Sequence, residues 1–239
     1  MSRLVIVRHG QASFLSDDYD VLSPHGETQA LKLGEYWAAI GLNFDAIYTG
    51  PRIRQQRTAE LAGRAVRRAD LAWPEPTALP AWDEHQVDRL MLDHGPAIVE
   101  RYPEIGPLLE AAQAEGTHHE RARRFQRVFE ATAERWVAGD DFPAQVETWI
   151  AFRQRVIDSL TEIMRSAARG STIAVFTSVG PVTVALQRAV GCDDLTALAT
   201  GWRVWNCSLT EFAFSGDRFT LDRFNALPHL PNPGEWTYR

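Results

Sequence analysis

The hydrophobic pattern begins with Leu4-Val5-Ile6-Val7, an unbroken apolar run that predicts a strand buried on both faces of a parallel or mixed sheet. Polar positions dominate from Gly10 to Asp20 and predict a loop. Ser23-Pro24 then supplies an N-cap and a first-turn proline, and Ala30, Leu33, Trp37 and Ile40 follow at helical spacing until Gly41. Ala46-Ile47-Tyr48-Thr49 predicts a second short strand. A basic, glutamine-rich stretch from Arg52 to Arg57 follows it and runs into a helix through Ala62. The order strand, polar turn, helix therefore occurs twice.

Further along, Arg89 to Pro143 reads as helices and loops, with Ala122, Phe125, Phe129 and Trp136 as a partial apolar stripe. Phe152, Val156, Leu160, Ile163 and Ala167 predict a stronger helix that ends at Gly170. Ser171 to Thr177 predicts another buried strand, and Gly180-Pro181 opens a helix carrying Val182, Leu186, Ala189 and Val190. Leu209 to Phe214 and Phe219 to Phe224 predict two strands joined by Ser215-Gly216-Asp217, a hairpin signal, before a proline-rich irregular tail. Helix and strand signals are mixed along all 239 residues, which points to an α/β fold. The expectation is one domain over residues 1–239, three-layer α/β/α with a mostly parallel central sheet, and a helical insertion at about 89–143.

Charge narrows the function. Twenty-five lysines and arginines against 31 aspartates and glutamates leave a net charge of −6. No nucleic acid is expected as partner. A few arginines are still enough for a local anion site. Cys192 and Cys207 are the only cysteines and form no Cys-x-x-Cys pair, so neither a metal nor a dithiol site is expected and a reducing compartment is. The first apolar run is too short for a signal peptide, and no stretch approaches a membrane span. A cytoplasmic protein without membrane contact is expected.

In open α/β sheets, ligands bind beyond the carboxyl ends of the strands. Three such ends carry polar chemistry: Arg8-His9-Gly10, Thr49-Gly50-Pro51 and Thr177-Ser178-Val179-Gly180. A histidine that attacks phosphorus must be neutral, and the charge on the transferred group's oxygens needs cationic donors. Arg8 and Arg54 fit that need through their planar, permanently charged forks. Gly10 would let backbone approach the phosphoryl group. Glu84 is a candidate acid for the leaving oxygen. Each has a blander alternative: His9 as a polar loop residue, Arg52, Arg54 and Arg57 as solvated helix-start residues, and Glu84 as a surface charge or a partner of His85.

Together the segments resemble the histidine phosphatase superfamily, the phosphoglycerate mutase-like enzymes. The resemblance runs through Leu4-Val5-Ile6-Val7-Arg8-His9-Gly10-Gln11 and Leu22-Ser23-Pro24-His25-Gly26-Glu27-Thr28-Gln29-Ala30. It continues in Pro51 to Ala59 and in Asn225-Ala226-Leu227-Pro228-His229-Leu230. It implies a phosphohistidine at His9, with Arg8 and Arg54 clamping the phosphoryl oxygens. Glu84 would be the proton donor, and Gly10, Gln11, Ser178 and Val179 would line the phosphate site. It implies no cofactor and no metal, a small phosphorylated molecule or phosphate as partner, and an insertion lying over the site. The oligomeric state stays open.

One position departs from the pattern. Where the superfamily carries a second histidine, this chain has Ser178. A hydroxyl still donates one hydrogen bond, and the helix start behind it offers backbone donors. The loss of one transition-state donor costs on the order of 2.7–4 kcal/mol in another reaction type. Three readings follow: a phosphomonoester phosphatase of modest activity, a phospho-ligand binding or regulatory protein without turnover, and, with no positive signal, a mutase. His85 and His25 are candidate substitutes for the missing imidazole. His118-His119-Glu120 reads as a solvated helix face, because adjacent histidines on a helix diverge. Trp73, Trp82 and Phe14 are candidates to line an apolar substrate pocket, with core packing as the alternative.

Overall fold

A computed structural model describes residues 1–13, 20–139, 142 and 145–238, with the side chains of residues 88–93, 118, 119 and 122 outside that description. The expectations for Phe14 and for the imidazoles of His118 and His119 therefore fall outside it. The elements in chain order are β1 (Ser2–Arg8), α1 (Pro24–Ala39), β2 (Ala46–Thr49), α2 (Ile53–Arg68), β3 (Thr77–Ala78), α3 (Val87–Arg101), α4 (Gly106–Gln113) and α5 (His118–Val137). Then come α6 (Trp149–Ser166), β4 (Thr172–Thr177), α7 (Val179–Val190), α8 (Asp194–Gly201), β5 (Leu209–Ser215) and β6 (Arg218–Ala226).

Among the described residues, six strands form one sheet in the order β3-β2-β4-β1-β5-β6. The first four are parallel, and β5 and β6 add an antiparallel edge. The fold is thus α/β with a mostly parallel sheet. Leu4, Val5, Ile6 and Val7 are all buried, because side chains alternate across the strand and both sheet faces are covered. On one face Val5, Val7, Ala174 and Phe176 pack with Leu33 and Trp37 of α1 and Ala59, Ala62 and Val66 of α2. On the other, α7 lies against β1 and β6. Gly34 lets α1 and α2 meet closely, since a Cβ there would fall 2.1 Å from the Ala62 carbonyl oxygen. Ser23 caps α1, its hydroxyl accepting from the Gly26 N–H at 3.0 Å, and Pro24 opens the helix as the sequence predicts.

Three elements differ from the sequence reading. α2 continues past Ala62 to Arg68, because Ala65 and Val66 extend its apolar stripe beneath exposed arginines. β3 is two exposed residues whose strand character comes from pairing with Tyr48 and Thr49 rather than from their own pattern. α8 is unanticipated, although Asp193 caps it by accepting from the Thr196 N–H at 2.9 Å.

Residues Met1–Glu84 with Arg155–Arg239 form one compact unit, and His85–Gln154 form a second. The second is helical. His85, Phe129, Trp136, Trp149 and Phe152 build its aromatic core, and the Trp136 indole donates to the Glu147 carbonyl at 2.7 Å. Among the described residues, no helix is long and apolar enough to cross a membrane.

The proline-rich tail is irregular but anchored. Gln29 on α1 donates to the Glu235 carbonyl at 2.9 Å and to the Thr237 hydroxyl at 3.1 Å, and Lys32 pairs with the Glu235 carboxylate. His229 is buried there, and among the described residues neither ring nitrogen has a hydrogen-bond partner. Burial pushes its pKa from 6.5 down to about 4; Glu235 opposes the shift and Lys32 adds to it. Below pH 6.5 the unfolded chain takes up a proton that folded His229 refuses, so stability falls with pH down to about 4 and then levels. We expect His229 to account for up to about 3 kcal/mol of that loss. Urea titrations at pH 7 and pH 4 should show a smaller loss in His229→Leu than in the native chain.

Candidate active site

β1 and β4 pair with Arg8 opposite Thr177, so the next residues, His9 and Ser178, leave the sheet side by side. The His9 N–H donates to the Thr177 carbonyl at 2.8 Å, and the Gly50 N–H at the end of β2 donates to the Phe176 carbonyl at 2.9 Å. The three strand ends singled out from the sequence are therefore neighbours at one edge of the sheet.

His9 is buried, with a relative exposure of 4%. Its Nδ1 lies 2.7 Å from the Gly10 carbonyl oxygen. A carbonyl only accepts, so Nδ1 carries the hydrogen and Nε2 keeps its lone pair. Arg54 Nε–H donates to that lone pair at 3.2 Å. Burial, then Arg54 and then Arg8 hold the His9 pKa well below 6.5, against the opposing bond to Gly10. The imidazole is neutral, with its basic nitrogen facing a guanidinium.

Arg54 lies in the first turn of α2. The helix start is fixed to the loop after β1 by Thr58, whose hydroxyl donates to the Arg54 carbonyl at 2.7 Å and accepts from the Gly10 N–H at 3.1 Å. Arg54 Nη1 also pairs with Asp20 at 2.8 Å, and the other Asp20 oxygen accepts from the Ile53 N–H at 3.0 Å. Asp20 is thus a carboxylate at the start of α2, in contact with the cation expected to hold phosphate. Neither its role nor that of Thr58 is visible in the sequence pattern, because both depend on a loop meeting a distant helix.

Gly10 also has a packing purpose. A Cβ there would lie 2.5 Å from the Gly26 carbonyl oxygen, and one on Gly26 would lie 2.1 Å from the Gln11 oxygen. The two glycines let the loop lie flat on the start of α1. Gln11 is engaged with the same helix: its N–H donates to the Gln29 amide oxygen at 2.9 Å, and its own amide oxygen accepts from Ser23 at 2.9 Å.

Arg8 is tied to the far end of the chain. Its guanidinium donates to the Val204 carbonyl and, at 2.6 Å, to the Tyr238 carbonyl. The Tyr238 ring stacks on Trp205 at 3.6 Å. Arg8 therefore stands near His9 as a fixed positive charge, with two of its five N–H donors on backbone carbonyls.

Glu84 reaches the start of α7, where its carboxylate accepts from the Gly180 N–H at 3.0 Å. Ser178 is the N-cap of α7 and Val179 its first residue, so these three predicted positions come together. A helix start attracts a carboxylate through its unpaired N–H groups. Asp83 braces the segment: it accepts from the Glu84 N–H at 2.7 Å and pairs with Arg52 at 2.5 Å. Arg155 adds bonds to the Ala81 and Asp83 carbonyls at 2.7 and 3.1 Å.

The candidate substitute histidines have partners of their own. The His85 ring packs on Phe129, Trp136 and Phe152, with centroids 5.8, 5.2 and 5.7 Å away. His25 Nε2 bonds the Glu235 carbonyl at 3.0 Å and helps dock the tail. Trp82 is fully buried, its indole donating to Ser159 at 3.0 Å. Trp73 packs in the core with Trp37, Phe44 and Phe176. Its edge borders a cleft of about 370 Å³ whose lining is mixed, with Ile53, Pro76 and Ala78 beside the charged Arg57, Glu60, Arg67 and Glu75. Among the described residues, no group of three or more His, Cys, Asp or Glu could hold a metal ion.

Residues 4–105 and 108–227 match the histidine phosphatase superfamily, branch 1. The chain belongs to that superfamily. It resembles 2-carboxy-D-arabinitol-1-phosphatase from Triticum aestivum, with 39% identity over 93 residues, which span 36% of this chain and 17% of that protein. It also resembles 2,3-bisphosphoglycerate-dependent phosphoglycerate mutase from Caulobacter vibrioides, with 37% identity over 75 residues, 29% of this chain and 32% of that one. Each match thus spans less than a third of the relative's length.

Solved structures share the fold over almost the whole chain. Phosphoserine phosphatase from Entamoeba histolytica superposes with a TM-score of 0.64 at 16% identity, over 96% of this chain and 100% of that one. Phosphoglycerate mutase from Bacillus anthracis gives 0.63 at 17% identity, over 96% and 95%.

Asp20 occupies Arg54 with an ion pair, so an anion arriving at Arg54 would have to compete with it. Asp20→Asn keeps an oxygen for the Ile53 N–H and removes the charge. We expect it to bind inorganic phosphate roughly tenfold more tightly by calorimetry, the effect of about 1.4 kcal/mol of relieved repulsion in a partly screened site. Equal or weaker binding would show that the Asp20–Arg54 pair does not oppose phosphate.

Proposed function

We propose that the protein is a phosphomonoester phosphatase working through a phosphohistidine at His9. The observation that carries this reading is the unprotonated Nε2 of a buried, neutral His9, whose lone pair accepts from Arg54. An arriving phosphoryl group draws the Arg54 guanidinium onto its oxygens and releases the lone pair for attack. With Glu84 entering the cycle in its protonated form, the Nε2–P bond forms as the bond from phosphorus to the ester oxygen breaks, and that oxygen takes the Glu84 proton. Water then attacks phosphorus, Glu84 takes its proton, and the Nε2–P bond breaks to release phosphate. Arg54, with the charge of Arg8 beside it, offsets the negative charge that spreads over the equatorial oxygens. The names of the relatives support a small phosphorylated molecule as substrate. Both cysteines are free thiols, as suits the cytoplasmic location proposed here.

A second reading, phospho-ligand binding without turnover, is favoured by Ser178. A neutral hydroxyl there replaces the charge that an imidazole would bring to the phosphoryl oxygens. One set of assays separates the two readings. We expect hydrolysis of p-nitrophenyl phosphate, abolished in His9→Ala and reduced roughly 10²- to 10⁴-fold in Glu84→Gln. Calorimetric phosphate binding without any turnover selects the second reading. Turnover that survives His9→Ala rejects the proposed intermediate.

A further inference from the structure

Gln55 is fully buried beside Ser178, and its hydrogen bonds leave little freedom in how its amide can be oriented. At one end the amide oxygen accepts from the Arg52 N–H at 3.0 Å. A backbone N–H can only donate, so that end is the oxygen. The other end is the NH₂ group, which donates to Ser178 Oγ at 2.8 Å and reaches the Trp82 carbonyl at 3.4 Å. That carbonyl also accepts from the Thr177 hydroxyl at 2.7 Å. Gly50 makes the arrangement possible, because a Cβ there would lie 2.1 Å from the Gln55 amide oxygen.

The consequence concerns one proton. An amide NH₂ does not accept, so the Ser178 hydroxyl hydrogen cannot point at Gln55. Ser178 is also an N-cap whose hydroxyl makes no bond to its own helix, although capping is what serine ordinarily does there. Among the described residues, Gln55 is the one partner of that oxygen. The hydroxyl proton is therefore unspent, on a fully buried residue that leaves β4 next to His9.

We propose that Gln55 is a positioning residue: its amide saturates the acceptor side of Ser178 and so turns the hydroxyl into a dedicated donor to a phosphoryl oxygen at His9. The proposal rests on the phosphate-site reading above and gives Ser178 a defined part in it. It differs from a purely structural role for Gln55, which would act through the Arg52 N–H alone and leave Ser178 uncoupled.

A double-mutant cycle with orthovanadate, which mimics the five-coordinate phosphorus, tests this by calorimetry. Ser178→Ala should weaken vanadate on the order of a hundredfold, the cost of one donor aimed at developing charge. Gln55→Leu should weaken it about tenfold, the worth of one hydrogen bond. The double variant should be no weaker than Ser178→Ala. Full multiplication of the two losses, or an unchanged Ser178→Ala, overturns the proposal.

Gln55→Glu supplies a readout that holds even if Gln55→Leu does not fold. When protonated, the new carboxyl can donate to Ser178 as the amide does. When ionised, it accepts the Ser178 proton instead. Vanadate affinity relative to the native chain at the same pH should therefore recover as pH falls; a ratio that stays constant with pH overturns the proposal. A native chain that neither binds vanadate nor hydrolyses p-nitrophenyl phosphate overturns the phosphate-site reading itself, and this inference with it.

Discussion

The bond from His9 Nδ1–H to the carbonyl of its own neighbour, Gly10, is the constraint around which the site is organised. A buried imidazole beside two arginines favours the neutral ring, since a third positive charge there would be desolvated and repelled. Neutrality alone leaves two tautomers. The Gly10 carbonyl selects the one that leaves Nε2 bare, and Nε2 is the nitrogen that Arg54 faces. The arginines thus keep the ring neutral in the resting state and supply the cationic surroundings that an incoming phosphoryl group needs.

Holding that carbonyl in place takes much of the surrounding structure. Gly10 lies against Gly26 with no room for a side chain, and Gln11 is hydrogen-bonded to α1 through both its backbone and its amide. Thr58 joins the same loop to the turn of α2 that bears Arg54. Asp20 holds Arg54 by an ion pair of the kind a phosphate would replace. Glu84 and Ser178 come together at the start of α7, directly after β4. The site is therefore made from the ends of three adjacent strands, each followed by a helix or a braced turn.

Much of this was legible in the sequence. The unbroken run Leu4 to Val7, the cap at Ser23 and the hairpin around Gly216 announce themselves through period and turn chemistry, which act over a few residues. His9, Arg54, Glu84 and Ser178 were identifiable from their places after strands and from the order of motifs. What stayed hidden depends on contacts between distant segments. Asp20 reads as one more polar loop residue until the loop meets α2. Gln55 reads as part of a solvated, basic stretch until it is seen to be buried against Ser178. Arg8 is held by the carbonyls of residues 204 and 238, and no local pattern encodes such partners. The contact of Gly10 with Gly26 is likewise invisible until the loop lies on α1.

The central claim is that His9 rests as the neutral Nδ1–H tautomer with a bare Nε2. Nitrogen-15 NMR of the labelled protein tests it directly, through two-bond correlations from the ring protons of His9, followed as pH is lowered. The account requires a protonated Nδ1 and an unprotonated Nε2, retained well below pH 6.5. A His9 ring that titrates at or above pH 6.5, or that carries its proton on Nε2, would contradict it.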